Sequence, residues 1–231
     1  MFYLIWAFVF LIVYIIAIFL MKYMKNNSYI NKIIPCFMFL AIIVESVYYF
    51  ILDGSSSYNF RNTLPVANVS PFMFINGIII IFFPNKIKKY GNTLICLLSL
   101  GMFIAGIGLL LNTHFCKIEP HWNFLLNAFN HILFSLFGIY LYKTNQVHQE
   151  KKKIVYSASI IVVVALFMLV LNAFFQTSYF GLSLYGNHNI YNLVLCQDSI
   201  LSAIIYFIGL SLVLISGWKY SKIINKKNEN V

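Results

Sequence analysis

Seven long apolar runs, separated by short polar segments, organise the chain, covering residues 2–24, 33–52, 65–83, 93–111, 123–142, 154–176 and 199–218. A helix rises about 1.5 Å per residue, so roughly 20 apolar residues cross the ~30 Å hydrocarbon layer of a bilayer. Runs of this length predict transmembrane helices. The expected fold is therefore all-α: a polytopic transmembrane bundle of about seven helices. It forms a single domain over residues 1–221, followed by a flexible basic tail over 222–231. No internal repeat or low-complexity domain interrupts the pattern. The first run could be taken for a secretion signal. It lacks a basic leader, is too long for the apolar core of one, has no small-residue cleavage site and ends in Lys22 and Lys25. It reads as a retained first helix.

Composition agrees with a lipid solvent. Of the 231 residues 61% are hydrophobic and only 10% charged, too apolar a mixture for one water-surrounded core. The formal net charge is +10. In a soluble chain that excess would point to nucleic acid, so the positions of the cations decide its meaning. Lys22, Lys25 and Lys32 follow the first run, Lys86, Lys88 and Lys89 the third, Lys143 and Lys151 to Lys153 the fifth, and Lys219, Lys222, Lys226 and Lys227 the seventh. Only Arg61 and Lys117 fall in the alternate connections, so fourteen of the sixteen basic residues share one side. Basic loops stay in the cytoplasm. An odd number of crossings follows, with the N-terminus outside, the C-terminus in the cytoplasm and the protein multi-pass in the cell membrane. Nucleic-acid binding is disfavoured because the cations are spread over four loop ends. A nucleotide-binding enzyme is excluded by the lack of a phosphate-cradling glycine loop between suitable elements. Some attraction to anionic headgroups remains.

The three outer segments, 53–64, 112–122 and 177–198, carry the polar variety: aromatics, amides and imidazoles. Aromatics at headgroup depth are ordinary interfacial anchors. His114, His121 and His188 share this side, but none has metal-ligand spacing to a second His or a Cys pair, so neither metal nor cofactor is expected. Cys36 and Cys96 belong near the inner surface. Cys116 and Cys196 lie near the outer one, where a disulfide between them is open but unfixed by the sequence.

Polar groups inside the runs are the best functional pointers, because an unpaired amide or charge is costly at membrane depth. They are Glu45 in the second run, Asn68, Ser70 and Asn76 in the third, Asn127, Asn130 and His131 in the fifth, and Asn172 in the sixth. Glu45 reads as a packed, hydrogen-bonded carboxyl or as a general base, a proton carrier or an orienter of His131. Asn127 precedes His131 by one turn on the same face and could fix its tautomer for proton transfer; a structural interhelical hydrogen bond is the alternative. Pro65 and Pro71 remove backbone donors from the start of the third helix, which predicts a distorted opening turn. Ser99, Gly101, Gly106, Gly108, Gly209, Ser211 and Ser216 predict close helix packing.

These residues resemble a known pattern, that of the YwaF-like bacterial integral membrane family, distantly related to animal seven-helix lipid acyltransferases and hydrolases. The likeness lies in a polar second helix, a third helix opening on Leu64-Pro65-Val66-Ala67-Asn68-Val69-Ser70, a histidine in Phe129-Asn130-His131, and Asn172 followed by the Gly/Asn-rich segment 185–191. Members that resemble enzymes use a Cys or Thr of the Leu-Pro helix as nucleophile, activated by the histidine. The Cys form of that motif falls on Val69 here, and Ser70 is the neighbouring hydroxyl. The resemblance implies a lipid-accessible polar pocket on the outer half, with Ser70 as nucleophile, His131 as base, Asn68 or Asn130 as oxyanion donor, Glu45 as orienter, and Asn76, Asn127 and Asn172 among substrate-binding groups. It equally admits a catalytically silent member. Two other readings stay open: a transporter or binding subunit using Glu45 and His131, and an immunity or partner-recognition protein whose outer loops meet another protein.

Overall fold

A computed structural model describes residues 2–52, 84–111, 121–175 and 199–229. Every regular element among them is helical. In chain order they are α1 (Phe2–Leu20), extended by a 3-10 turn over Met21–Tyr23, α2 (Ile30–Leu52), α3 (Asn85–Leu111), α4 (His121–Lys143), α5 (Lys151–Phe175) and α6 (Ser199–Glu229). Four stretches within them are long and apolar enough to cross a membrane: Leu4–Tyr23, Asn85–Gly108, Leu125–Lys143 and Phe207–Lys226. The third apolar run, 65–83, lies outside the described residues, as do 53–64, 112–120 and 176–198.

Helix bounds depart from the hydropathy pattern at two places, each with a local cause. Helix α3 begins eight residues before the expected position 93, placing Lys86, Lys88 and Lys89 on its first turns. The Pro84 carbonyl accepts from the amides of Ile87 (2.9 Å) and Lys88 (3.0 Å), so the proline nucleates the helix at once. Helix α6 continues to Glu229, through most of the segment expected to form a flexible tail. Its last turns are amphipathic: Gly217, Ser221 and Asn225, four apart on one face, are buried, while Lys219, Lys222 and Lys226 face outward. Packing of that face extends the helix beyond the apolar run.

Helix α3 is the centre of the bundle and packs on α1, α4, α5 and α6. Small residues let the backbones close in. A Cβ on Gly138 would stand 2.8 Å from the Ile95 carbonyl oxygen, and one on Gly217 only 2.1 Å from that of Leu97. Around these approaches lie Ile95, Phe134, Phe137, Ile139 and Ile161, all buried. Outward faces carry large exposed apolar side chains, among them Phe8, Ile12 and Phe19 on α1, Val163 and Phe167 on α5, and Leu212 and Ile215 on α6. So broad an apolar belt suits lipid, not water.

Hydroxyl groups stitch the interior. Tyr14 exchanges hydrogen bonds with Ser135 Oγ (2.8 Å) and Tyr220 Oη (2.9 Å), linking α1, α4 and α6. The Cys96 thiol donates to Ser221 Oγ at 3.4 Å, and Ser99 Oγ lies 3.3 Å from the same oxygen. At the basic end, α4 stops in a left-handed cap. Asn145 has φ 57°, the Gln146 amide bonds the Leu141 carbonyl (2.9 Å) and the Asn145 amide that of Tyr142 (3.1 Å). This cap turns the chain sharply back across α3.

Candidate functional site

Helix α4 carries the interior polar group. Asn130 and His131 are 2% and 6% exposed, in the middle of an otherwise apolar helix. Nδ1 of His131 lies 2.8 Å from the Asn127 carbonyl oxygen, one turn earlier. A carbonyl only accepts, so Nδ1 carries the proton and, in the neutral ring, Nε2 keeps its lone pair. The element that fixes the tautomer is thus the backbone of Asn127, a partner available to any residue type there.

Space for this arrangement comes from α3. A Cβ on Gly106 would fall 3.1 Å from His131 Cβ and 3.1 Å from the Ala128 carbonyl oxygen. Glycine at 106 therefore lets α4 seat its imidazole close to α3. Beside it, the Asn130 Oδ1 is buried without a hydrogen-bond partner among the described residues. At the same level the Phe129 ring meets Phe10 of α1 (6.2 Å) and Phe37 of α2 (6.1 Å, edge to face).

Of the residues singled out from the sequence, the structure brings together Asn127, Asn130 and His131. Glu45 sits on α2 eight residues beyond Phe37, about 12 Å further along the helix axis by helical rise; its side chain is outside the described residues. So is that of Asn172, on α5, and Asn68, Ser70 and Asn76 lie wholly outside them. Cys116 and Cys196 are outside them too, whereas Cys36 and Cys96 are free thiols, Cys96 fully buried.

At the opposite end of α4, where the basic residues gather, lies a cavity of about 390 Å³. Its floor is Phe137 and Leu141 of α4; its walls include Lys32, Lys88, Lys89 and Asn92. An amide relay builds one side: Asn31 Nδ2 donates to Asn26 Oδ1 (2.9 Å), Gln146 Nε2 to Asn31 Oδ1 (3.0 Å), and Asn92 Nδ2 to the Gln146 carbonyl (3.2 Å). Sequence reading missed this site because the lysines were absorbed into the topology argument. The clustering of Asn26, Asn31, Asn85, Asn92 and Asn145 on the same connections is the signal that could have found it.

Next to the cavity, the His148 amide donates to Thr93 Oγ1 (2.9 Å) and its ring packs on Tyr90, 4.4 Å between centroids. Partial burial, then the charges of Lys89 and Lys153, push the His148 imidazole below its usual range. Lys153 and Glu150 form an exposed ion pair at 2.5 Å, which lowers the Glu150 carboxyl and raises the lysine.

The chain matches no protein-family profile, no curated protein and no solved structure.

Proposed function

We propose that the chain crosses the cell membrane seven times, N-terminus outside and C-terminus in the cytoplasm, and binds a lipid through a polar site around His131. Four described helices have the length and apolarity to span, and fourteen of sixteen basic residues fall on alternate connections. The observation that carries the reading is the pair of acceptors deep in α4. His131 has its Nδ1 proton committed to the Asn127 carbonyl, and the Asn130 Oδ1 is buried and unpaired among the described residues. An unpaired acceptor in an apolar interior is costly unless a ligand donor reaches it.

The chemistry that fits these groups is ester cleavage or acyl transfer on the bound lipid, in a YwaF-like protein. Ser70 Oγ attacks the ester carbonyl while His131 Nε2 removes its proton. Asn68 donates to the oxyanion, and the imidazolium returns the proton to the leaving alkoxide. Asn76, Asn127 and Asn172 line the lipid's polar portion, and Glu45 stands nearer the outer surface.

Fluorophosphonate labelling in detergent tests the catalytic step. Labelling of wild type that is lost in Ser70→Ala and much slowed in His131→Gln supports it; equal labelling of wild type and Ser70→Ala removes Ser70 from the role. Lipid binding is tested separately, by the lipid retained through purification. Retention that is unchanged in an Asn130→Leu, His131→Leu double variant refutes the site. Proton-coupled uptake into liposomes that disappears in Glu45→Gln would replace both readings with transport. Orientation is read with single-cysteine variants and a membrane-impermeant maleimide on intact cells: Cys116 reacts and Cys36 does not.

A further inference from the structure

The cavity at the basic end is built for a ligand of opposite charge. Lys32, Lys88 and Lys89 reach it from the starts of α2 and α3, and no Asp or Glu is among its lining residues. The one ion pair among the described residues joins Lys153 to Glu150, so none of the three cavity ammoniums is ion-paired there; the Glu150 carboxylate interacts with Lys89 only at longer range. Lys88 and Lys89 are half-buried, which raises the worth of a counter-charge above that at an open surface.

A second observation points to a ligand independently of charge. Asn92 is 7% exposed and lines the cavity. Its Nδ2 is used on the Gln146 carbonyl, while its Oδ1 is buried with no partner among the described residues. The relay from Asn26 through Asn31 to Gln146 holds the wall in place before any ligand arrives. Cations, a free buried acceptor and an apolar floor together suit an acidic oxygen cluster that also carries a hydrogen-bond donor. Phosphate has that character: dispersed negative charge met by lysine, and a hydroxyl either on the group itself or on its ester.

We propose that this cavity binds a phosphate group, carried by an anionic lipid headgroup or by a free phosphate, with Lys32, Lys88 and Lys89 supplying the charge and Asn92 Oδ1 accepting a ligand hydroxyl. The site is distinct from His131, about 15 Å away along α4 by helical rise, and stands or falls without that reading.

The test uses the full chain in detergent, with two probes and two charge-matched variants. Native mass spectrometry measures retention of phosphatidylglycerol against phosphatidylcholine, and a thermal shift of delipidated protein measures response to inorganic phosphate. The cavity variant is Lys88→Gln with Lys89→Gln; the control is Lys222→Gln with Lys226→Gln, both exposed on α6. The expected result is a roughly thirtyfold loss of affinity in the cavity variant and little change in the control. If the loss concerns phosphatidylglycerol, the phosphate is a headgroup; if it concerns the inorganic phosphate shift, the ligand is soluble. Equal losses in both variants, or no binding of either probe to wild type, overturn the proposal. Should the double variant fold poorly, Lys32→Gln, an exposed single change, carries the same comparison.

Discussion

Gly217→Ala tests whether backbone proximity between α3 and α6 holds the bundle. The added methyl would stand 2.1 Å from the Leu97 carbonyl oxygen and 2.9 Å from its carbon. Ordinary contact begins near ~3.5 Å, so the helices must part by about 1.4 Å. Backbone does not rotate away as a side chain does, and overpacking of this kind costs roughly 1–3 kcal/mol. One turn later on the same face, the Ser221 contacts with Ser99 (3.3 Å) and Cys96 (3.4 Å) would stretch, adding about 0.6 kcal/mol for each bond weakened. Alanine regains up to ~1 kcal/mol of helix propensity, a gain shared by Gly209→Ala on the same helix, whose Cβ meets nothing within 4 Å among the described residues. The difference between the two variants is thus about 2–4 kcal/mol, or roughly 4–16 °C in melting temperature. With the other three cysteines replaced by serine, Cys96 supplies the assay, because its fully buried thiol reacts with a fluorogenic maleimide only as the bundle opens. A Gly217→Ala protein that melts at or above Gly209→Ala refutes the close-approach reasoning.

Tyr14→Phe should cost about 1 kcal/mol by removing the hydroxyl that bonds both Ser135 and Tyr220; in a double-mutant cycle Ser135→Ala should then add little, and full additivity would deny the link. Stability of the basic end should depend on pH through His148, whose folded-state affinity for protons is lowered by burial and by Lys89 and Lys153. The unfolded chain takes the proton first as pH falls through about 6.5, so stability is complete at neutral pH and declines below it, levelling once the folded imidazole protonates. Thermal melts across pH 5–8 should show that decline in wild type and lose it in His148→Gln. In the folded protein under detergent, maleimide should modify half-buried Cys36 well before Cys96, and equal rates would contradict the burial of Cys96 beneath α6.

Which features were legible in the sequence follows from their physical origin. Six of the seven apolar runs coincide with described helices because length and hydropathy are carried by the run itself; the remaining one, 65–83, falls outside the described residues. The ends were less legible. Amphipathic packing of Ser221 and Asn225 prolongs α6 beyond its apolar portion, and Pro84 starts α3 among lysines that hydropathy assigns to a loop. Gly101 and Gly106 do serve close packing, with Cβ approaches of 2.5 Å to Val213 and 2.9 Å to Ile132, but Gly217 and Gly138, which approach backbone directly, are not distinguished by any local pattern. Pairing of Asn127 with His131 was visible as a one-turn spacing. That the backbone carbonyl does the holding was not, because every residue at 127 has one.

Satisfied and orphaned polar atoms divide the interior into parts that hold the fold and parts that remain for a ligand. Tyr14, Ser135, Tyr220, Cys96, Ser99 and Ser221 bond one another across four helices, which is the economy expected of interhelical glue. The unpaired buried side-chain atoms among the described residues are Asn92 Oδ1, Asn130 Oδ1, His148 Nε2 and Asn225 Oδ1. Asn225 lies on the packed face of α6, where its Nδ2 returns to the Ser221 carbonyl at 2.8 Å and its Oδ1 stays bare. His148 is seated by its amide on Thr93 and its ring on Tyr90. Asn92 differs in bordering a cationic cavity, and Asn130 in adjoining an imidazole with a determined tautomer. An acceptor left bare in each place costs the free protein stability that a donor on a ligand would return. Replacement of either Asn by Leu should therefore raise the melting temperature of delipidated protein while reducing lipid retention. Destabilisation by both changes would instead assign the two amides to the fold.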